Sequence, residues 1–341
     1  MNFSRFFIYL LLPSLVACQQ NNALQKFEGY AQGTSYHLSF WQDAPTKIDT
    51  LALKKTIDAE FSRLDSQLSN YRPDSVIEKF NATLSSEPLE LSAEIIGLIN
   101  QAHQVSLASE GCYDLTIKPL FDLWGFKAEK LNIPSTEVLQ ATLKQVGFEQ
   151  LEIIDNTHVK KRNPQLRVDL SSIAQGYSVG HIAQLLDKAG ISNYLVEIGG
   201  ELQTRGTKPD GSPWRIAVEK PLSNERTMHK VLTIKQTAPL VVMTSGTYRH
   251  YFDANGKRYS HILNAKTGIP VEHHSVSVTV LHDNASQADA WSTALLCLGR
   301  ESGLIAANKA GIAALFIDQE NNEFHEYPST ALNNLTGVEF K

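Results

Sequence analysis

Asp289 and Thr293 stand four residues apart in the stretch Ala288-Asp289-Ala290-Trp291-Ser292-Thr293. On a helix that spacing sends both side chains out of one face. A carboxylate and a hydroxyl are hard oxygen donors, suited to Mg2+ and not to zinc or copper. An Asp favouring the helix dipole beside a Thr that merely packs is the structural alternative. The stretch Val168 to Tyr177 repeats the logic. Asp169 closes an expected strand, Ser172 and Gln175 open a helix whose free N–H groups favour phosphate, and Gly176 permits close approach. Here a simple N-cap is the alternative. Together the two stretches carry the chemistry for holding a hard cation against a phosphorylated ligand. His261, in the loop Ser260 to Gly268, adds an imidazole that titrates near neutrality and can accept a proton. Its alternative role is to anchor the loop.

These residues need elements to hold them. Leu53, Ile57, Phe61, Leu64 and Leu68 recur at helical spacing and predict an amphipathic helix over about 48–69. Further helices are expected over 92–109, from Ser135 to Gly147, from about Ile173 to Lys188, from about Ser286 to Leu298, and near 302–310. Phe27 to Trp41 reads as strand interrupted at Gly33, and short strands are expected near 151–155 and 166–170. Four more are expected at Tyr194–Thr204, Trp214–Val218, Lys230–Ile234 and Leu240–Thr244. Asp210-Gly211 and Asn255-Gly256 are pairs that close hairpins, and a last hairpin crosses Asn321-Asn322. Ser275 to Leu281 alternates Val with polar residues, which predicts one buried and one exposed face. Helices and strands mix without strict βαβ alternation, so the fold class is α+β. Neither a Walker sequence nor a strand-following G-x-G-x-x-G is present, which leaves the usual nucleotide folds unsupported. Gly199-Gly200 and Thr244-Ser245-Gly246-Thr247 are turns able to border a ligand.

The ends and the composition bound the setting. Arg5 followed by the apolar run Phe6 to Val16 is too short to span a bilayer and reads as a leader. It ends Leu15-Val16-Ala17-Cys18, a lipobox pattern in which residues 1–17 are removed and Cys18 is acylated. Residues 18–25 then form a polar tether, and 26–341 one folded unit. With 31 Lys and Arg against 36 Asp and Glu the net charge is −5. Basic residues are scattered, which argues against nucleic acid as a partner. Beyond Cys18 only Cys112 and Cys297 remain; Cys297 lies in an apolar run and reads as a buried, inert thiol, so no disulfide framework is expected.

Taken jointly, the motifs resemble the ApbE family of flavin transferases from about Gly29 to Gly299. They are Gly33-Thr34-Ser35-Tyr36, Leu68-Ser69-Asn70-Tyr71, Gly111 to Asp114 with Trp124-Gly125-Phe126, the Asp169 segment, Glu197-Ile198-Gly199-Gly200, Thr244-Ser245-Gly246, His261 to Gly268 and Ala288 to Thr293. The resemblance implies an ApbE-type, T-fold-like α+β unit in a lipoprotein of the bacterial envelope facing the periplasm. It implies transfer of FMN from FAD to a threonine or serine hydroxyl of a target protein, with AMP released. Targets would be subunits of membrane electron-transport complexes such as the Na+-translocating NADH:quinone reductase. By matching position, Asp289 and Thr293 would ligate Mg2+ with Ser172 in the same shell. Gln32, Tyr71, Cys112, Tyr113, Asp114, Asp169, Gln175 and Leu263 would line the FAD site, and His261 would assist proton transfer. The chain departs from the family pattern at Asn264-Ala265, where Asp-Pro is usual, at Gln175, where Lys or Glu is usual, and at Ser292, which is Asp in some relatives.

Overall fold

Strand β2 (Thr34–Trp41) shows how the core is built: Tyr36, Leu38 and Phe40 point inward while Ser35 and His37 face out. The computed structural model describes residues 23–42, 48–222, 227–321 and 323–341. The leader, Cys18 and Asn322 lie outside the described residues. Strand β1 (Gln25–Ala31) pairs with β2 through the two-residue turn Gln32-Gly33, both residues at positive φ, where a loop of two residues matches strand twist.

An eight-stranded antiparallel sheet forms the centre, in the order β1-β2-β6-β7-β10-β13-β14-β15. Its other members are β6 (Asn193–Ile198), β7 (Glu201–Arg205), β10 (Leu240–Gly246), β13 (Ser275–His282), β14 (Ala313–Glu320) and β15 (Glu323–Pro328). Three small sheets surround it. One joins β3 (Leu89–Glu90), β5 (His158–Lys161) and β4 (Leu151–Ile153), and the hairpin β11 (Tyr251–Ala254) with β12 (Lys257–Ser260) is the second. The third, β8 (Trp214–Glu219), β9 (Met228–Ile234) and β16 (Val338–Phe340), lays Trp214, Leu232 and Ile234 against Leu202, Val242 and Leu281 of the central sheet.

The other face of the central sheet carries the long helices. The sequence periodicity is recovered in α1 (Thr50–Leu68), which buries Leu53, Ile57, Phe61, Leu64 and Leu68, each worth about 2 kcal/mol of apolar burial. It is followed by α2 (Val76–Ala82), α3 (Ala93–Ala108), α4 (Lys118–Trp124) and α5 (Thr136–Leu143). Ser135 caps α5 as expected, but the helix ends one turn before Gly147. α6 (Ala174–Lys188) and α7 (Ala285–Ala310) pack on each other and on the sheet, and α8 (Thr330–Asn333) is a single turn. The two helices expected near 286–298 and 302–310 are the two limbs of α7, divided at Gly299 with φ 70° and ψ 174°. Among the described residues no helix is long and apolar enough to cross a membrane.

Four local expectations are corrected. Ser275, Ser277 and Thr279 of β13 are buried along with Val278 and Val280, because the sheet is covered on both faces. Their hydroxyls are met inside, Thr279 Oγ1 by Thr244 Oγ1 at 2.9 Å and Ser275 Oγ by Asp318 Oδ1 at 2.6 Å. Residues 166–170 are extended but belong to no ladder. Side chains replace a partner strand: Val168 N donates to Asn81 Oδ1 at 2.7 Å, Leu170 N to Asn70 Oδ1 at 2.6 Å, and both Asn amides donate to the Val168 carbonyl. Asp210-Gly211 makes a tight turn between strands of different sheets, whereas Asn255-Gly256, both at positive φ, closes the β11–β12 hairpin. Finally, Cys297 is not a free thiol: it forms a disulfide with Cys112, 185 residues away in sequence.

Candidate active site

Helix α7 starts at Asn284, whose Oδ1 accepts from Gln287 N at 3.0 Å. Its first four turns then present Asp289, Thr293 and Cys297 on one face to a cavity of about 300 Å³. Asp289 is 5% exposed, and its Oδ2 accepts one hydrogen bond, from Gly176 N in the first turn of α6 at 2.8 Å. That approach requires glycine. A Cβ at residue 176 would sit 2.4 Å from the Ala285 carbonyl oxygen and 2.6 Å from Asp289 Cβ.

A second carboxylate was missed in sequence. Glu201 opens β7 immediately after Gly199-Gly200, lines the same cavity, and its Oε2 accepts from Thr244 N at 3.0 Å. Burial holds the Glu201 carboxyl well above its ordinary range, and the nearby Asp289 charge pushes it further. Burial raises Asp289 as well. Among the described residues neither carboxylate has a salt-bridge partner. The signal for Glu201 lies in the motif itself, a Glu that directly follows a glycine pair after a strand.

Hydroxyls complete this wall. Ser245 Oγ lies 2.8 Å from Ser292 Oγ and 2.9 Å from Thr293 Oγ1. Ser292 is fully buried and donates to the Asp289 carbonyl at 2.8 Å, so it supports the helix turn and does not line the cavity. Ser172 Oγ donates to Tyr113 Oη at 3.2 Å across the cavity floor. Two carboxylates and several hydroxyls are a hard oxygen set. Mg2+ is held in such places by one or two carboxylates, with water and substrate phosphate filling the rest of its shell, so these residues fit it. No cluster of three or more His, Cys, Asp or Glu side chains placed to hold a metal ion occurs among the described residues, so a cation here would draw on hydroxyls, water and substrate as well.

Cys112, Tyr113, Asp114, Asp169, Gln175, His261 and Leu263 line the same cavity. Their local duties differ. Asp114 Oδ1 accepts from Thr116 N and Thr116 Oγ1, both at 2.7 Å, and Oδ2 from Phe148 N at 3.0 Å. Burial pushes it up to about 6 against those hydrogen bonds. Asp169 Oδ1 accepts from Ser171 N, and Gln175 Nε2 donates to the Ile198 carbonyl at 2.6 Å. Gln32 and Tyr71 do not reach this cavity. They border an open cleft of about 640 Å³ that adjoins it, with Ser171 and Gln175 common to both.

His261 corrects another expectation. Desolvation pulls its imidazole down to about 4, below the near-neutral range expected of it. Nδ1 lies 2.8 Å from the His250 carbonyl, so Nδ1 carries the proton and Nε2 keeps a lone pair. The ring is stacked on His250 with centroids 5.3 Å apart. Beside it, Asn264 Oδ1 accepts from Lys266 N and Thr267 N, turning the loop as an Asp would. Ala265 N donates to the Cys112 carbonyl at 3.0 Å, a bond that a proline cannot make.

The pattern of the ApbE family matches residues 32–316. The FAD:protein FMN transferase of Vibrio cholerae is 37% identical over 319 residues, covering 93% of this chain and 94% of its own. That of Escherichia coli K12 is 36% identical over 310 residues, covering 89% and 86%. Two solved structures share the fold. Flavin transferase ApbE from Vibrio cholerae matches with a TM-score of 0.83 at 36% identity, over 92% of this chain and 99% of its own. The apo flavinyl transferase ApbE of Pseudomonas stutzeri gives 0.81 at 36%, over 92% and 97%.

Proposed function

The chain belongs to the ApbE family, and from that premise we propose that it is a Mg2+-dependent transferase moving FMN from FAD onto a threonine or serine hydroxyl of a partner protein. The observation that supports the metal dependence is a buried carboxylate, Asp289, that shares its cavity with a second, half-buried one, Glu201, and with the hydroxyls of Ser172, Ser245 and Thr293, with no salt-bridge partner for either carboxylate among the described residues. A buried pair of like charges is costly unless a cation joins it.

The cavity and the adjoining cleft supply room for an extended dinucleotide. Asp289, Thr293 and Glu201, with Ser172 across the cavity, would hold Mg2+. Bound there, the ion would neutralise pyrophosphate charge and offset the charge that develops on departing AMP. His261 would take the proton from the target hydroxyl through Nε2, leaving its Nδ1–H on the His250 carbonyl. The hydroxyl oxygen forms a new bond to the FMN-side phosphorus as the bond from that phosphorus to the AMP oxygen breaks. The products are a protein phosphodiester of FMN and free AMP. Tyr113 and Leu263 would flank the flavin half, and Gln32 and Tyr71 the part of FAD that lies in the open cleft.

The test is to mix the protein with FAD, Mg2+ and a subunit of the Na+-translocating NADH:quinone reductase, then to weigh the subunit. A mass gain of one FMN on a threonine or serine supports the reading. Release of free FMN and AMP with the subunit unmodified would make the protein an FAD pyrophosphatase instead.

The setting belongs to the same proposal. The leader and Cys18 support a lipid-anchored protein facing the periplasm, and a buried disulfide suits an oxidising compartment. Cys18→Ser should leave the protein unprocessed or free it from membranes. Normal cleavage without acylation in the unaltered chain would remove the anchor from the account.

A further inference from the structure

The disulfide between Cys112 and Cys297 lies in the wall of the catalytic cavity, not in a remote part of the core. Both residues are buried, 3% and 5% exposed, and each is adjacent to groups the transfer reaction uses. Cys297 is one helical step beyond Thr293 and two beyond Asp289, on the same face of α7. Cys112 precedes Tyr113, whose hydroxyl accepts from Ser172, and Asp114, whose carboxylate pins the backbone at Thr116 and Phe148. The carbonyl of Cys112 also receives the N–H of Ala265, from the loop that carries His261 and Leu263. The sulfur bridge therefore ties three parts of the cavity into one body: the loop after α3, the His261 loop, and the ligand-bearing face of α7. Just past Cys297, α7 breaks at Gly299, so the first limb, which bears Asp289 and Thr293, is fastened at its C-terminal end by this bond.

We infer that Cys112 and Cys297 are positioning residues for FMN transfer, and that opening their disulfide disables the cavity while leaving the fold in place. The inference rests on the transferase reading above. A dithiol opens the bond with full balance: the S–S bond breaks, two electrons and two protons pass from the reagent to Cys112 and Cys297, and the reagent closes to its own cyclic disulfide. With the link gone, the loop bearing Tyr113 and the helix bearing Asp289 have no covalent tie, only packing and indirect hydrogen-bonded routes such as Tyr113 to Ser172 and Gly176 to Asp289. Transfer depends on alignment of phosphorus, hydroxyl and leaving oxygen, and a misplacement of about 1 Å costs on the order of 10²-fold in such reactions.

The experiment uses the full chain in detergent, with FAD, Mg2+ and an acceptor subunit. Dithiothreitol is added, reduction is verified by mass on the peptides carrying Cys112 and Cys297, and folding is verified by circular dichroism. Initial rates are measured well below the thermal midpoint. The oxidised protein provides the control: if it does not transfer FMN, the transferase reading has failed rather than this inference. The expected result is a loss of at least tenfold in kcat for the reduced, folded protein, larger than any change in KM for FAD, and reversed by reoxidation. Because reduction can unfold a protein, the variant Cys112→Ala with Cys297→Ala is measured in parallel. It should match the reduced enzyme and show no response to dithiothreitol. Wild-type kcat and KM in either the folded, reduced protein or the double variant would overturn the inference.

Discussion

The wall around Asp114 and the wall around Asp289 line one cavity, and both place an aspartate below the surface. Asp114 is met by three donors, the Thr116 N–H and hydroxyl and the Phe148 N–H. Asp289 is met by one, the Gly176 N–H, and shares its surroundings with a second carboxylate, Glu201. A carboxylate whose lone pairs are filled by its own chain is a structural brace. One left with open lone pairs beside a like charge is prepared for something the chain does not supply. Burial and a raised proton affinity are common to both, so neither separates brace from ligand site; the census of donors does.

The largest expected effect tests the Asp289 side. Asp289→Asn keeps an acceptor for Gly176 N but removes the charge, and should lower FMN transfer by about 10³-fold, the scale of losing charge stabilisation in a closed site. Its thermal midpoint should match or exceed that of the unaltered chain without Mg2+, and added Mg2+ should raise the midpoint of the unaltered chain only. Transfer at the original rate, with or without chelator, would erase the distinction between the two walls.

His261→Ala should slow transfer by about 10²–10⁴-fold while FAD binding, followed by flavin fluorescence, stays near its original strength. A joint collapse of binding and transfer would assign His261 to the loop. Asp114→Ala tests the brace: three donors lose their acceptor, and stability measured by denaturant should fall by about 2–4 kcal/mol, with transfer per folded molecule falling far less. A folded Asp114→Ala protein with transfer as low as that of Asp289→Asn would break the comparison from the other side.

The smallest effect is one of pH. The imidazole of His261 is held down to about 4, below its ordinary value of about 6.5. The active form is neutral, and it becomes protonated only as the pH falls through about 4. With Mg2+ saturating, the His261-dependent part of the rate should stay level from pH 7 to about 5. A decline centred near 6.5 would mean that the ring is more hydrated than its surroundings indicate.

Much of this was legible in the sequence where one segment decides its own structure. The spacing of Leu53, Ile57, Phe61, Leu64 and Leu68 fixes α1, and Asn255-Gly256 fixes a hairpin, because period and turn chemistry are local. Ten of the proposed site residues reach one cavity, while Gln32 and Tyr71 lie in the adjoining cleft. What stayed hidden was decided by distant partners. Residues 166–170 have the composition of a strand, but Asn70 and Asn81 take the hydrogen bonds that a neighbouring strand would make. The polar positions of β13 are buried by distant elements: a second sheet over residues 214–234 lies on the face that carries Leu281, while Ser275 is covered by α7, whose Arg300 N donates to it. The Cys112–Cys297 pairing spans 185 residues, and nothing near either cysteine announces it.

At residue 176 the separation of two helices is set by a hydrogen atom where any other amino acid would put a carbon. The nearest obstacle is the carbonyl oxygen of Ala285, 2.4 Å from where a Cβ would stand, and that oxygen belongs to the main chain. No exchange of side chain at 285 can take it away, and Ala285 is already small. A clash between two side chains can be relieved by trimming either one; this one has only a single adjustable member. A heavier residue at 176 would therefore act as a wedge, driving α7 and the Asp289 carboxylate away from α6 with no second-site substitution at 285 available to draw them back. Positions around the cavity can be rebuilt one at a time, but this one is a mutational dead end.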